Sequence, residues 1–136
     1  MQPTGISHLQ INVRPENIGF YRELFTFLGW EIIYDVPEML AVGGKNRESL
    51  WFSAGGKDTP NDYDGPGVNH VGIAVDTQDD VDAAARLLAG MGVPHLFETP
   101  RHRPEFSHGP EHTYYQVMFE SPDRILWEIV YIGPKG

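Results

Sequence analysis

The sequence predicts an α+β fold: two βαβββ modules that pair into a cupped mixed sheet, with the helices on its outer face. Three observations lead there. The strand-like run "GISHLQINV" (5–13) returns as "GVNHVGIAV" (67–75), with His8 falling on His70. Each run is followed by a segment with apolar residues at helical spacing, and then by alternating strand-like runs. A Gly-, Pro- and Asp-rich stretch, "GGKDTPNDYDGPG", separates two halves that are each too short to bury both faces of a sheet alone. The expected organisation is one domain over residues 1–136. It comprises module one at about 5–56, a linker at about 57–66 and module two at about 67–132.

The elements follow in order. After the first strand, "PENIGFYRELFTFLGW" sets Ile18, Tyr21, Leu24, Phe25 and Leu28 on one helical stripe, with Pro15 suited to the entry and Gly29 to the stop. Its counterpart "TQDDVDAAARLLAGMGV" opens on a capping-box pattern, Thr77 with Asp80. It carries the stripe Val81, Ala84, Leu88 and Met91, and ends at Gly92. "LGWEIIY" and "MGVPHLF" read as second strands. "MLAVGGKNRESLWFSAG" and "TYYQVMFESPDRILWEIVY" read as the closing hairpins. Laying "SLWF" over "ILWE" puts Trp51 on Trp127 and Phe52 on Glu128, and the extra length of module two falls in the loop "TPRHRPEFSHGPEHT".

Composition narrows the function classes. A net charge of −9, with no basic cluster, argues against a nucleic-acid backbone or an anionic membrane surface as partner. The absence of cysteine removes disulfides, thiolate metal sites and cysteine nucleophiles. No apolar run is long enough for a membrane span, and the first residues carry no secretory pattern, so a cytoplasmic protein is expected.

Strand alternation then sorts the polar residues. Leu9, Ile11 and Val13 share the face toward the helix, leaving His8, Gln10 and Asn12 on the other. Val71, Ile73 and Val75 likewise oppose His70, Gly72 and Ala74, and Trp127, Ile129 and Tyr131 oppose Leu126, Glu128 and Val130. His8, His70 and Glu128 are thereby expected on the face away from the helices, where two imidazoles and a carboxylate suit a divalent metal. A carboxylate inside "ILWEIV" calls for such a partner where the strand is buried, because its burial is otherwise costly, whereas an edge strand exposing Glu128 to water would need none.

At these residues the chain resembles the vicinal oxygen chelate superfamily, which includes glyoxalase I, extradiol dioxygenases, and fosfomycin- and bleomycin-resistance proteins. The resemblance runs from about Ile6 to Ile132. It rests on "SHLQINV", "NHVGIAV" and "YYQVMFESPDRILWEIVY" in that order. It implies a metal held by His8, His70 and Glu128, with Fe, Mn, Ni or Zn as candidates. The family's fourth ligand, where present, would fall on Phe52, which cannot bind a metal. That departs from glyoxalase I and favours a dioxygenase-like His-His-Glu set. Arg124 in "SPDR" also stands where the family commonly has Gly, a departure expected to touch only turn geometry.

The resemblance further implies a small substrate that chelates the metal through vicinal oxygens, and a homodimer. Alternatives are a glyoxalase-I-like lyase or isomerase and a metal-free binding protein like the bleomycin-resistance members. Pairing the last two strands around "SPDR" sets Val117 beside Glu128 and Tyr115 beside Val130, so that Tyr115 looks into the cup and Tyr114 outward. Tyr115 and His112 are the proton-transfer candidates. Gln10, Phe52, Arg101, His108 and Phe119 are expected to line the substrate's place, with Arg101 and Arg103 able to attract an anion.

Overall fold

A computed structural model describes residues 1–136 as two compact units, Met1–Thr59 and Pro60–Gly136. The first unit runs β1 (His8–Asn12), a 3-10 turn at Pro15–Asn17, α1 (Ile18–Phe27), β2 (Glu31–Val36), β3 (Met39–Gly43) and β4 (Ser49–Ser53). The second runs β5 (Val71–Ala74), α2 (Gln78–Gly90), β6 (His95–His102), a 3-10 turn at Pro104–Phe106, β7 (His112–Glu120) and β8 (Leu126–Pro134). Both are βαβββ modules. Their sheets have matching orders, β1-β4-β3-β2 and β5-β8-β7-β6. In each, the opening strand pairs parallel with the closing one and the remaining pairs are antiparallel. No helix is long and apolar enough to cross a membrane.

The helices form where capping and apolar spacing place them. Thr77 Oγ1 accepts from the Asp80 amide and Asp80 Oδ2 accepts from the Thr77 amide, each at 3.1 Å, which closes the capping box of α2. Both helices end alike. Gly29 at φ +84° and Gly92 at φ +76° follow the caps. The amides of Trp30 and Val93 reach back to the carbonyls of Phe25 and Leu88, each at 2.9 Å. These are Schellman ends, and the left-handed residue they require is a glycine in each case.

Each helix covers one face of its own sheet. In the first unit Ile18, Tyr21, Leu24 and Phe25 are buried with Leu40, Val42, Leu50 and Phe52. Phe52 stacks on Tyr21 with ring centroids 4.4 Å apart and lies 5.6 Å from Phe25. In the second unit Val81, Ala84, Ala85 and Leu88 are buried with Ile73, Val117, Phe119, Trp127 and Ile129.

The closing hairpins differ from the expected pairing by one residue. The Arg124 amide donates to the Ser121 carbonyl and the Ser121 amide to the Ile125 carbonyl, each at 2.9 Å, with Arg124 at φ +59°. That is a three-residue loop, Pro122–Arg124, whose last member sits in the left-handed region. The extra residue sets Met118, not Val117, opposite Glu128, and Tyr131, not Val130, opposite Tyr115. A one-residue slip exchanges faces, so Tyr115 faces the helix side and Tyr114 shares the face of Glu128. Arg124 therefore decides which side chains share the face of Glu128.

The first unit closes in the same way. The Gly44 amide donates to the Glu48 carbonyl at 2.8 Å, and Arg47 sits at φ +67°. Gln10 pairs with Trp51 as Gly72 pairs with Glu128. The residue of module one equivalent to Glu128 is therefore Trp51, and Phe52 corresponds to Ile129 in the helix-side core. The alignment of Phe52 on Glu128 is corrected accordingly. β6 also runs further than expected, through His102, with an irregularity between Leu96 and Arg101 that Thr99 bridges. The long loop of module two thus shortens to about Arg103–Glu111.

Candidate metal and substrate site

The second unit gathers a cluster around Glu128, whose side chain lies within the sheet at 4% exposure. β8 aims it to the face away from α2, across from Met118 of β7 and Gly72 of β5. A Cβ at position 72 would stand 3.0 Å from Glu128 Oε1, so Gly72 leaves the space beside that oxygen. The two carboxylate oxygens have different surroundings. Oε2 accepts from the Tyr114 hydroxyl at 2.8 Å and from Gln116 Nε2 in a short contact. Oε1 faces His70 Nε2 at 3.8 Å. That is too far for a hydrogen bond, and the imidazole and carboxylate are donor types that would hold a divalent ion.

A second ring of contacts holds the cluster. Gln116 Oε1 accepts from Arg103 Nη1 at 2.9 Å, which fixes its amide so that Nε2 points to Glu128. Arg103 Nε also binds Glu105 at 3.1 Å, and its guanidinium lies 5.0 Å above the Phe106 ring, which in turn lies 5.4 Å from Tyr114. Two donors on Oε2 offset the burial of the carboxylate. Burial, followed by the hydrogen bond to Glu128, pushes the Tyr114 phenol up to about 12, against the opposing pull of Arg103. Tyr114 is therefore a proton-bearing donor at neutral pH rather than a base. His70, at the lip of β5, has its other nitrogen, Nδ1, 2.7 Å from Asn69 Oδ1.

The residues expected from sequence take varied places. His8 opens β1 of the first unit, exposed, with Nδ1 3.0 Å from Ser7 Oγ. Gln10 is exposed on the same face, opposite Trp51, whose indole donates to Ser49 Oγ at 2.9 Å. Within neither unit do three His, Asp or Glu side chains form a metal-holding group; the structure shows the pair His70 and Glu128. Arg101 pairs with Gln116 across β6 and β7, which puts it on the face of Glu128, exposed. His108 is exposed in the loop and His112 is exposed at the start of β7.

Three expectations are corrected. Phe52 and Phe119 are both fully buried in helix-side cores, Phe119 opposite Trp127, and line no open face. Tyr115 is turned toward α2, where its hydroxyl donates to Asp82 Oδ1 at 2.5 Å. Burial and Asp82 push that phenol up to about 12 as well. The slipped hairpin register is the common cause for Tyr115 and Phe119. Counting Arg124 as a left-handed turn residue would have found Tyr114 and Gln116 from sequence. Nothing in the sequence marks Arg103 as the partner of Gln116.

Comparisons with known proteins agree with this architecture. The chain is similar to the structure of a protein from Bacillus halodurans provisionally described as a glyoxalase, at 27% identity and a TM-score of 0.75, covering 93% of this chain and 94% of that one. A glyoxalase/dioxygenase of Nostoc punctiforme is 15% identical with a TM-score of 0.68, covering 96% of this chain and 92% of that one. The genomically encoded fosfomycin resistance protein of Listeria monocytogenes is 18% identical with a TM-score of 0.63, covering 96% and 94%. These last two speak to the fold alone. No curated protein matches the chain. The model of the Glyoxalase/Bleomycin resistance protein/Dioxygenase superfamily matches residues 5–129, and the chain belongs to that superfamily.

Proposed function

We propose that the chain is a divalent-metal-dependent enzyme acting on a small substrate that chelates the ion through vicinal oxygens, dioxygenase-like in its ligand set. The carrying observation is the buried Glu128, whose Oε2 is held by Tyr114 and Gln116 while Oε1 faces His70 Nε2 at 3.8 Å. An imidazole and a carboxylate opposed in this way suit Fe, Mn, Ni or Zn. The reading takes His8 as third ligand from the sequence repeat, strand alternation and the superfamily resemblance. It also takes the chain as a cytoplasmic homodimer.

A divalent ion held there supplies Lewis acidity for the charge that develops on a chelated oxygen. The protein's own residues do the rest. Tyr114, with its proton held firmly, and Gln116 keep the carboxylate in one orientation. Arg101, exposed on the same face, offers a cation to an acidic substituent of the substrate. His112 and His108 are the proton carriers in this reading, and Tyr114 replaces Tyr115 as the tyrosine of the site. A glyoxalase-like isomerase is the second reading, in keeping with the Bacillus halodurans relative's description.

Metal analysis of protein purified without chelators, followed by Mn(II) titration, tests the proposal. A stoichiometric ion is expected in the parent chain, with affinity lost on the order of 100-fold or more in Glu128→Gln and His70→Ala. Absence of any stoichiometric ion would overturn the enzyme reading and leave a metal-free binding protein. Oxygen uptake with catechols under Fe(II), against hemithioacetal turnover under Ni(II) or Zn(II), then separates the two reactions.

A further inference from the structure

The stretch between the modules does more than join them. Within the second unit, Asn61 Nδ2 donates to the Arg124 carbonyl at 2.9 Å and the Tyr63 hydroxyl to Glu120 Oε2 at 3.1 Å, so residues 61–63 are tied to the β7–β8 turn. Asn69 Nδ2 then donates to the Tyr63 carbonyl at 3.1 Å, and Asn69 Oδ1 lies 2.7 Å from His70 Nδ1. The roles along this path are forced. A carbonyl only accepts, so the Asn69 amide nitrogen must face Tyr63 and its oxygen must face His70. An amide oxygen also only accepts, so the neutral His70 ring must carry its hydrogen on Nδ1. The lone pair is left on Nε2, the nitrogen 3.8 Å from Glu128 Oε1.

We propose that Asn61–Asn69 is a positioning segment for His70, in which Asn69 fixes the imidazole as its Nδ1–H tautomer so that the Nε2 lone pair faces Glu128. An unconstrained imidazole in water prefers the opposite tautomer, so the segment imposes a choice that the ring would not make alone. Asn69 acts through His70 and touches no substrate; it is a positioning residue. Fixing the remaining nitrogen in this way is how proteins orient a histidine ligand and raise its basicity. The use to which the ring is put rests on the metal reading above, but the tautomer itself can be measured without metal.

The test is long-range proton–nitrogen correlation of His70 in the metal-free, nitrogen-15-labelled full chain, above the titration range of imidazole. The Nδ1–H form is expected to dominate in the parent chain. Asn69→Ala should move the population toward Nε2–H and weaken Mn(II) binding by about 10- to 100-fold. Asn69→Asp, which keeps the acceptor, should retain the Nδ1–H form. Unchanged thermal unfolding in both variants separates positioning from folding. A parent ring found as Nε2–H, or a tautomer indifferent to Asn69→Ala, overturns the proposal. The expected tautomers in a chain that binds no Mn(II) would sustain the positioning role and overturn the metal reading alone.

Discussion

Beside His70, the closing strand of the sheet brings up Glu128; beside His8, the same step in the same topology brings up Trp51. Gly72 leaves space next to Glu128, whereas Gln10 occupies the corresponding place next to Trp51. His70 is held by an amide oxygen that can only accept, and His8 by the Ser7 hydroxyl, which can donate or accept. The scaffolds coincide down to the left-handed arginine in each closing turn. The chemistry does not. Two copies of one supersecondary unit can hold the same backbone while one concentrates the charged, hydrogen-bonded site and the other presents an aromatic wall.

The largest way to break this asymmetry is to write the second module's residues into the first. The double variant Gln10→Gly with Trp51→Glu places a carboxylate two residues in register from His8. Since the proposed function gives His8 to the ion at Glu128, one Mn(II) equivalent per chain is expected by calorimetric titration, bound with changed affinity. A second, weaker equivalent would show that His8 and the new carboxylate form a site of their own, and would overturn His8 as third ligand.

A smaller effect separates the two neighbouring tyrosines. Tyr114→Phe removes a donor from Glu128 and should weaken Mn(II) binding by about 10-fold or more. Tyr115→Phe should leave binding unchanged and cost about 1 kcal/mol of stability in denaturant unfolding. Both phenols bind their proton more tightly in the folded chain than the ordinary value of 10, up to about 12. Their stabilising contribution is therefore complete below pH 10 and is lost as pH rises toward 12. Alkaline unfolding curves of the Tyr115→Phe variant should be flatter across that window than those of the parent.

The smallest effect tests the shared turns. Arg47 and Arg124 sit at φ +67° and +59°, where a side chain on Cβ is disfavoured by about 1–2 kcal/mol. Arg47→Gly should raise the unfolding midpoint modestly, by an amount equivalent to roughly 1 kcal/mol. Arg124→Gly should gain less, because it also loses the exposed contact of Arg124 Nε with Glu120 at 3.2 Å.

The fold was legible because its signals are periodic and local. The repeat of His8 on His70, the helical stripes, the capping box of Thr77 and the glycine stops at 29 and 92 each report backbone geometry directly. The facing of His8, His70 and Glu128 followed from alternation within a single strand. What could not be read was anything that depends on counting across a turn. An arginine at a left-handed position carries no sequence signature, whereas the glycine usual there would have announced the longer loop. From that one residue came the exchange of Tyr114 with Tyr115 and the misplacing of Phe119; the equating of Phe52 with Glu128 came instead from laying Trp51 on Trp127, where the parallel pairings with the opening strands match Trp51 to Glu128. The support from Arg103 through Gln116, and the tie from Tyr63 through Asn69, join residues far apart in sequence by single hydrogen bonds. No pattern announces those.

The three-residue turns have a further consequence. A hairpin turn of this kind works as a reading frame for the strand that follows it. Removing Arg124 would keep every residue of β8 and yet translate the strand by one place, carrying Trp127 and Ile129 out of the core and driving Glu128 into it. A frameshift of this sort admits no partial result: the face of Glu128 and the hydrophobic core are alternate letters of one strand, so they are kept together or lost together.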